Sequence, residues 1–139
     1  MRYKAFISYS HVSDGKLASA LQSALQSFAK PFFRLRALKI FRDATDLRIT
    51  PRLWLVIQNA LRESDFFILL ASPHSAQSEW VTRELGEWLA LHSGDSSQLI
   101  IVLTGGDLRW DPARSDFEWT QTTSLPRILE HHFDQDPYI

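Results

Sequence analysis

Apolar and polar positions follow two rhythms along this chain, and the switches between them outline a fold. Residues 3–9 are short, apolar and aromatic between polar flanks, which predicts a first strand. Leu17, Ala20, Leu21, Ala24, Leu25 and Phe28 then recur with helical spacing behind a capping Ser13 or Asp14. Pro31 biases Lys30 away from helical geometry, so this helix is expected to end near Ala29. Residues 38–41 predict a second strand, followed by a polar loop over 42–49. Thr50-Pro51 has the form of an N-cap with proline at the first helical position. Leu53, Val56, Ile57, Ala60 and Leu61 give that helix one apolar face. Residues 65–71 contain the unbroken run Phe66-Phe67-Ile68-Leu69-Leu70, which predicts a buried third strand. Ser75 or Ser78 opens the next helix, with the stripe Val81, Leu85, Trp88 and Leu89, and residues 98–103 predict a fourth strand.

Beyond Leu103 the pattern weakens. Gly105-Gly106-Asp107 is a turn, and Trp110, Phe117 and Trp119 read as aromatics that pin a loop onto the domain. Leu125 to Leu129 opens a last short helix with Pro126 in its first turn, and the segment 134–139 reads as a boundary. Strands that are apolar throughout and alternate with helices imply a parallel sheet covered on both faces. The expected fold class is therefore α/β: a flavodoxin-like doubly wound sheet of order 2-1-3-4-5 in three α/β/α layers, its fifth strand weakly marked. In that order the switch point lies between strands 1 and 3, and ligands bind outside their carboxyl ends. Those ends carry Ser8, Tyr9, Ser10 and His11, and Ala71, Ser72 and Pro73, with the loop after strand 2 beside them.

The same topology aims a pocket at the helix leaving strand 3, where Trp80 and Glu84 stand four residues apart and so lie one above the other on a helix face. An indole beside a carboxylate suits a cationic ring attached to a sugar: the acid stabilises an oxocarbenium ion and the indole stacks the departing ring. The alternatives are a solvated Glu84 on an amphipathic helix and a Trp80 that roofs the core near Trp88.

Composition narrows the classes. With 139 residues, 45% hydrophobic and 22% charged, the chain is one domain with a packed core, taken here as residues 1–139. A formal net charge of −1 gives no electrostatic footprint for nucleic acid or an anionic membrane. The lack of cysteine excludes disulfides, thiolate metal sites and thiol nucleophiles. No apolar run is long enough to span a bilayer, and the strand pattern starts before a signal peptide could fit, so a cytoplasmic protein is expected. Phosphate-binding glycine loops and a Gly-x-Ser-x-Gly elbow are missing, the strand ends lack a receiver domain's clustered acids, and His131-His132 with Asp134 and Asp136 reads as a solvated terminal segment, with no metal site.

The motifs taken in order carry a resemblance. Lys4-Ala5-Phe6-Ile7-Ser8-Tyr9-Ser10, then Phe41-Arg42-Asp43, then Ser72-Pro73 with Ser78-Glu79-Trp80 and Glu84-Leu85, resemble a Toll/interleukin-1 receptor (TIR) domain of bacterial type. The agreement runs from about Tyr3 to Leu103; the loop after Arg42 departs from the family by lacking glycine. The tail from Trp110 to Pro126 resembles bacterial TIR domains fused to other modules, so the parent protein is expected to continue past Ile139.

The resemblance implies an enzyme that cleaves NAD at the nicotinamide-ribosyl bond, yielding ADP-ribose or a cyclic isomer, in signalling or anti-phage defence. It also leaves open a non-enzymatic scaffold that pairs with other TIR domains. In the enzymatic reading Glu84 is catalytic, Trp80 stacks nicotinamide, Ser8, Tyr9, Ser10 and Ser72 line the site, and Arg42, Arg48 or Arg52 holds the pyrophosphate. NAD is substrate and no further cofactor is implied. Self-association is expected through the loop 42–50, where Leu47 and Ile49 interrupt polar residues.

Overall fold

The computed structural model describes residues 3–32, 40–42 and 51–133, with backbone alone described at 11–13, 26–32 and 40–42. Its centre is a parallel sheet of order β2-β1-β3-β4, formed by β1 (Tyr3–Ser8), β2 (Ile40–Arg42), β3 (Ser64–Ala71) and β4 (Leu99–Leu103). In register, Phe6 lies between Phe41 and Phe67, and Leu69 between Ser8 and Ile101. The doubly wound fold and its first four strands therefore stand as the apolar runs predict.

Side chains alternate across the sheet with period two, and β1, β3 and β4 each feed two cores. Phe6, Phe67, Leu69, Ala71, Leu99 and Ile101 belong to the larger core, with Ile57, Ala60 and Leu61 of α2 (Pro51–Arg62) and Val81, Leu85, Trp88 and Leu89 of α4 (Glu79–Leu91). Ala5, Ile7, Ile68 and Leu70 face the other way, onto Ala18 of α1 (His11–Phe32). On this second face Ile100 of β4 is 44% exposed among the described residues.

The boundaries differ from the sequence reading in ways that have causes. The first helix starts at His11, because the Ser10 carbonyl accepts the first intrahelical bond, from Asp14 N at 2.9 Å. It runs through Pro31 to Phe32, three residues past the expected end; the bias that proline places on its predecessor is a preference, which this helix overrides. In α2, Val56 is exposed. At about 100° per residue it lies beyond the edge of the arc centred on Ile57, and Trp54, on the other flank, is the residue that packs. The expected single helix after β3 is two. The short α3 (Pro73–Ala76) is capped by Ser72 and α4 by Ser78, whose Oγ accepts from Val81 N at 3.2 Å.

Among the described residues a fifth parallel strand is not present. In its place β5 (Trp110–Asp111) and β6 (Asp116–Phe117) form an antiparallel ribbon. Phe117 is buried and meets Trp110, Trp119 and Phe133 edge-on, at centroid distances of 5.2, 6.0 and 5.9 Å. The aromatics that were expected to pin a loop do so. The turn before them depends on Gly106, at φ +77°, where an added Cβ would stand 2.2 Å from Ser124 Oγ. The last helix is a single 3-10 turn, Arg127–Leu129. The boundary segment 134–139 lies outside the described residues.

Candidate functional site

The strand alternation that puts Phe6 in the larger core also puts Ser8 on that face, at the carboxyl end of β1. There it meets α4. Ser8 Oγ donates a 2.8 Å hydrogen bond to Glu84 Oε1, joining residues 76 apart in sequence. The solvated Glu84 of the sequence reading is overturned: the residue is 0% exposed, on the helix face that also carries Val81, Leu85 and Trp88. A fully buried carboxylate is costly unless donors hold it, and a hydroxyl bond to a carboxylate is of the stronger kind.

Trp80 stands one turn before Glu84. Its indole is half-buried at the rim of the larger core, against Trp54, with centroids 5.8 Å apart and planes inclined by 59°. Trp80 thus roofs the core beside Trp54 while keeping one flank outside it. The flank of α4 facing α2 is tied twice more: Arg83 Cζ lies 4.3 Å from the Trp54 ring centroid, and Gln58 Nε2 donates to Glu87 Oε1 at 3.1 Å. Trp54 and Arg83 were not among the residues that the sequence singled out, yet they pack at this flank. The signal was present in the spacing, since Trp54, Gln58 and Leu61 recur along one helix face, as do Trp80, Arg83 and Glu87.

The other candidates separate by role. Tyr9 is buried but belongs to the α1 core, on the opposite face of the sheet from Ser8. Ser10 holds the N-cap position of α1 and is buried. Ser72 is committed to a capping box: its Oγ accepts from Ser75 N at 3.2 Å and its backbone N donates to Ser75 Oγ at 2.9 Å. Both serines lie at carboxyl ends of neighbouring strands, close to the expected ligand position. Arg42 pairs through its backbone with Ile7, one residue before Ser8, so β2 delivers it to the same end of the sheet. The side chains of Arg42 and His11, and the loop residues 43–50 with Arg48, Leu47 and Ile49, lie outside the described residues. Among the described residues no group of three or more His, Cys, Asp or Glu could hold a metal, and no helix is long and apolar enough to cross a membrane.

The order of the first four strands, with an acid and an indole on α4 beyond β3, agrees with the arrangement that the ordered motifs implied. The profile of the TIR domain family matches residues 5–135, and the chain belongs to that family. Over 137 residues it is 46% identical to the NAD(+) hydrolase ApTIR of Actinoplanes sp., a match covering 99% of this chain and 19% of that protein. The chain thus spans about a fifth of the length of that relative. Among solved structures, the TIR domains of the activated Roq1 resistosome directly recognizing the pathogen effector XopQ align with a TM-score of 0.54 at 24% identity, over 81% of this chain and 61% of that one, a likeness of fold.

Proposed function

We propose that this domain hydrolyses NAD at the bond between nicotinamide and ribose. The observation that carries the reading is Glu84, held by Ser8 at the carboxyl end of β1 with Trp80 one turn away, in a chain 46% identical over nearly its whole length to an NAD(+) hydrolase. Nicotinamide in NAD is already cationic, so its departure requires no strong acid. The carbon–nitrogen bond breaks with its electron pair going to the ring, and the ribosyl carbon is left as an oxocarbenium ion. Glu84 stabilises that charge and Trp80 stacks the leaving ring. Water then adds to the ribosyl carbon and gives ADP-ribose and a proton; attack from within the same molecule gives a cyclic isomer instead. Ser8 orients the carboxylate, Tyr9, Ser10 and Ser72 fix the strand ends around it, and Arg42 is a cation for the phosphates. NAD is the only small molecule required. The proposed setting is a cytoplasmic signalling or anti-phage defence protein in which residues 1–139 form one TIR module.

The complete burial of Glu84 supports an activation step, because a ribose reaches the carboxylate only after its surroundings move. We assign that step to self-association through the loop 42–50. Tethering raises effective concentration to about the millimolar range without new chemistry. Specific activity, followed as nicotinamide release by chromatography, is therefore expected to rise steeply with protein concentration or in an oligomerising fusion. Leu47→Asp combined with Ile49→Asp is expected to remove the rise while leaving the melt unchanged. A flat activity profile in the wild type, matched by the double variant, would mean that one chain holds a complete and open site.

The same burial favours a second reading, in which the Ser8–Glu84 bond ties α4 to the sheet and the domain is a scaffold that pairs with other TIR domains. No nicotinamide release at any concentration, with self-association intact, would select it.

A further inference from the structure

We propose that Arg83, laid across the indole of Trp54, takes the pyrophosphate of the dinucleotide, and that Trp54 is the positioning residue that holds it there. This rests on the NAD reading and adds to it a cation that the strand-end motifs do not contain.

The geometry begins with the helix. Trp80, Arg83 and Glu84 occupy positions i, i+3 and i+4 of α4, within an arc of about 100° and about one turn of rise. A ring against Trp80 with its sugar toward Glu84 therefore has Arg83 within a turn of the same helix. An exposed arginine on a long stem samples many positions, but this one is docked: its guanidinium carbon is 4.3 Å from the Trp54 centroid, and Trp54 is itself braced against Trp80 at 5.8 Å. A guanidinium seated over a ring still carries N–H groups along its edges. Those edges form the planar fork that binds phosphate oxygens in pairs.

The remaining described arginines are less suited. Arg114 pairs with Asp111 at 3.7 Å, Arg127 pairs with Glu130, and Arg62 donates to Asn59 at 3.1 Å. Arg109 lies just before the β5–β6 ribbon, its backbone bonded to Thr122. Arg52, in the first turn of α2, is exposed like Arg83 but has no ring beneath it among the described residues. Among the described residues Arg83 has no carboxylate within ion-pair distance, so its charge is not already neutralised there. Trp54 meanwhile serves both partners, setting the tilt of Trp80 and the seat of Arg83.

The test compares NAD with nicotinamide riboside, which has the same ring, sugar and scissile bond but no phosphate. Arg83→Gln is expected to raise KM for NAD about tenfold with kcat little changed, the signature of lost uniform binding, and to leave nicotinamide riboside kinetics within about twofold. Arg83→Lys keeps the charge without the fork and is expected to fall between. Trp54→Leu is expected to shift KM in the same direction as Arg83→Gln. Equal losses on both substrates would reduce Arg83 to a cover for Trp54 and overturn the proposal, as would no loss on either. Calorimetric titration with ADP-ribose separates this from failure of the hydrolase reading. Should wild type release no nicotinamide, weaker ADP-ribose binding by Arg83→Gln still supports the phosphate role, and unchanged or undetectable binding in wild type and variant overturns it.

Discussion

Glu84→Gln is expected to lower nicotinamide release by at least about a hundredfold while the domain keeps a cooperative melt, the scale seen when a group stabilising transition-state charge is removed. The substitution is chosen for its fit. Ser8 Oγ donates to Glu84 Oε1 at 2.8 Å, and a glutamine carbonyl accepts the same bond at nearly the same volume. What is lost is the negative charge that faces the ribosyl cation. Glu84→Ala is the poorer experiment, because Glu84 is fully buried among Val81, Leu85 and Trp88. It leaves a void and strands the Ser8 hydroxyl, an unsatisfied buried group costing about 1–3 kcal/mol. Its loss of activity would mix chemistry with destabilisation. Ser8→Ala probes the bond from the other side and is expected to reduce kcat without changing which bond is cut. Undiminished turnover in Glu84→Gln would remove the catalytic role. A Gln variant that fails to fold, measured by circular dichroism, would instead mark Glu84 as the tie between α4 and the sheet.

How much of this was legible follows from where each signal lives. Strand order could be read because β1, β3 and β4 each carry an apolar run, Ala5-Phe6-Ile7, Phe66 to Ala71 and Leu99 to Leu103, with helical periods between them; such local patterns have few three-dimensional solutions. The pairing of Trp80 with Glu84 could be read because helical spacing fixes it. The burial of Glu84 could not. It depends on Ser8 falling on the same sheet face as Phe6, and on α4 turning its polar i+4 position inward at that height, a meeting of segments 76 residues apart. Nor does a stripe count settle α2, where Val56 and Trp54 flank the same arc and only packing against α4 decides between them. The ribbon of β5 and β6 has strands of two residues, too short for periodicity to register; its stability comes from Phe117 and its three aromatic neighbours. Ser72 was read as a site residue from its place at the end of β3, and that place also demands a cap for the helix that follows.

Phe67→Asp is expected to unfold the domain. Phe67 sits mid-strand in β3, paired with Phe6 on one side and Leu99 on the other, and is 0% exposed. Its ring stacks on Phe6 at 5.6 Å and meets Trp88 at 5.6 Å, so it links the central strands to α4. Removing the ring alone costs about 3–5 kcal/mol by analogy with Phe→Ala in cores. An aspartate there adds a buried charge with no donor placed to receive it, a further several kcal/mol. Against a total stability of about 5–15 kcal/mol for a domain, the sum removes most or all of the folded population. Phe67→Leu is the control: it stays apolar, is expected to cost about 1–3 kcal/mol, and should leave a cooperative transition at lower temperature. The measurement is thermal denaturation followed by near-ultraviolet circular dichroism, which reports the aromatic packing around Trp88. A Phe67→Asp protein melting within a few degrees of wild type would mean that β3 is not the buried centre of the sheet, and the position of Glu84 at its flank would fall with it.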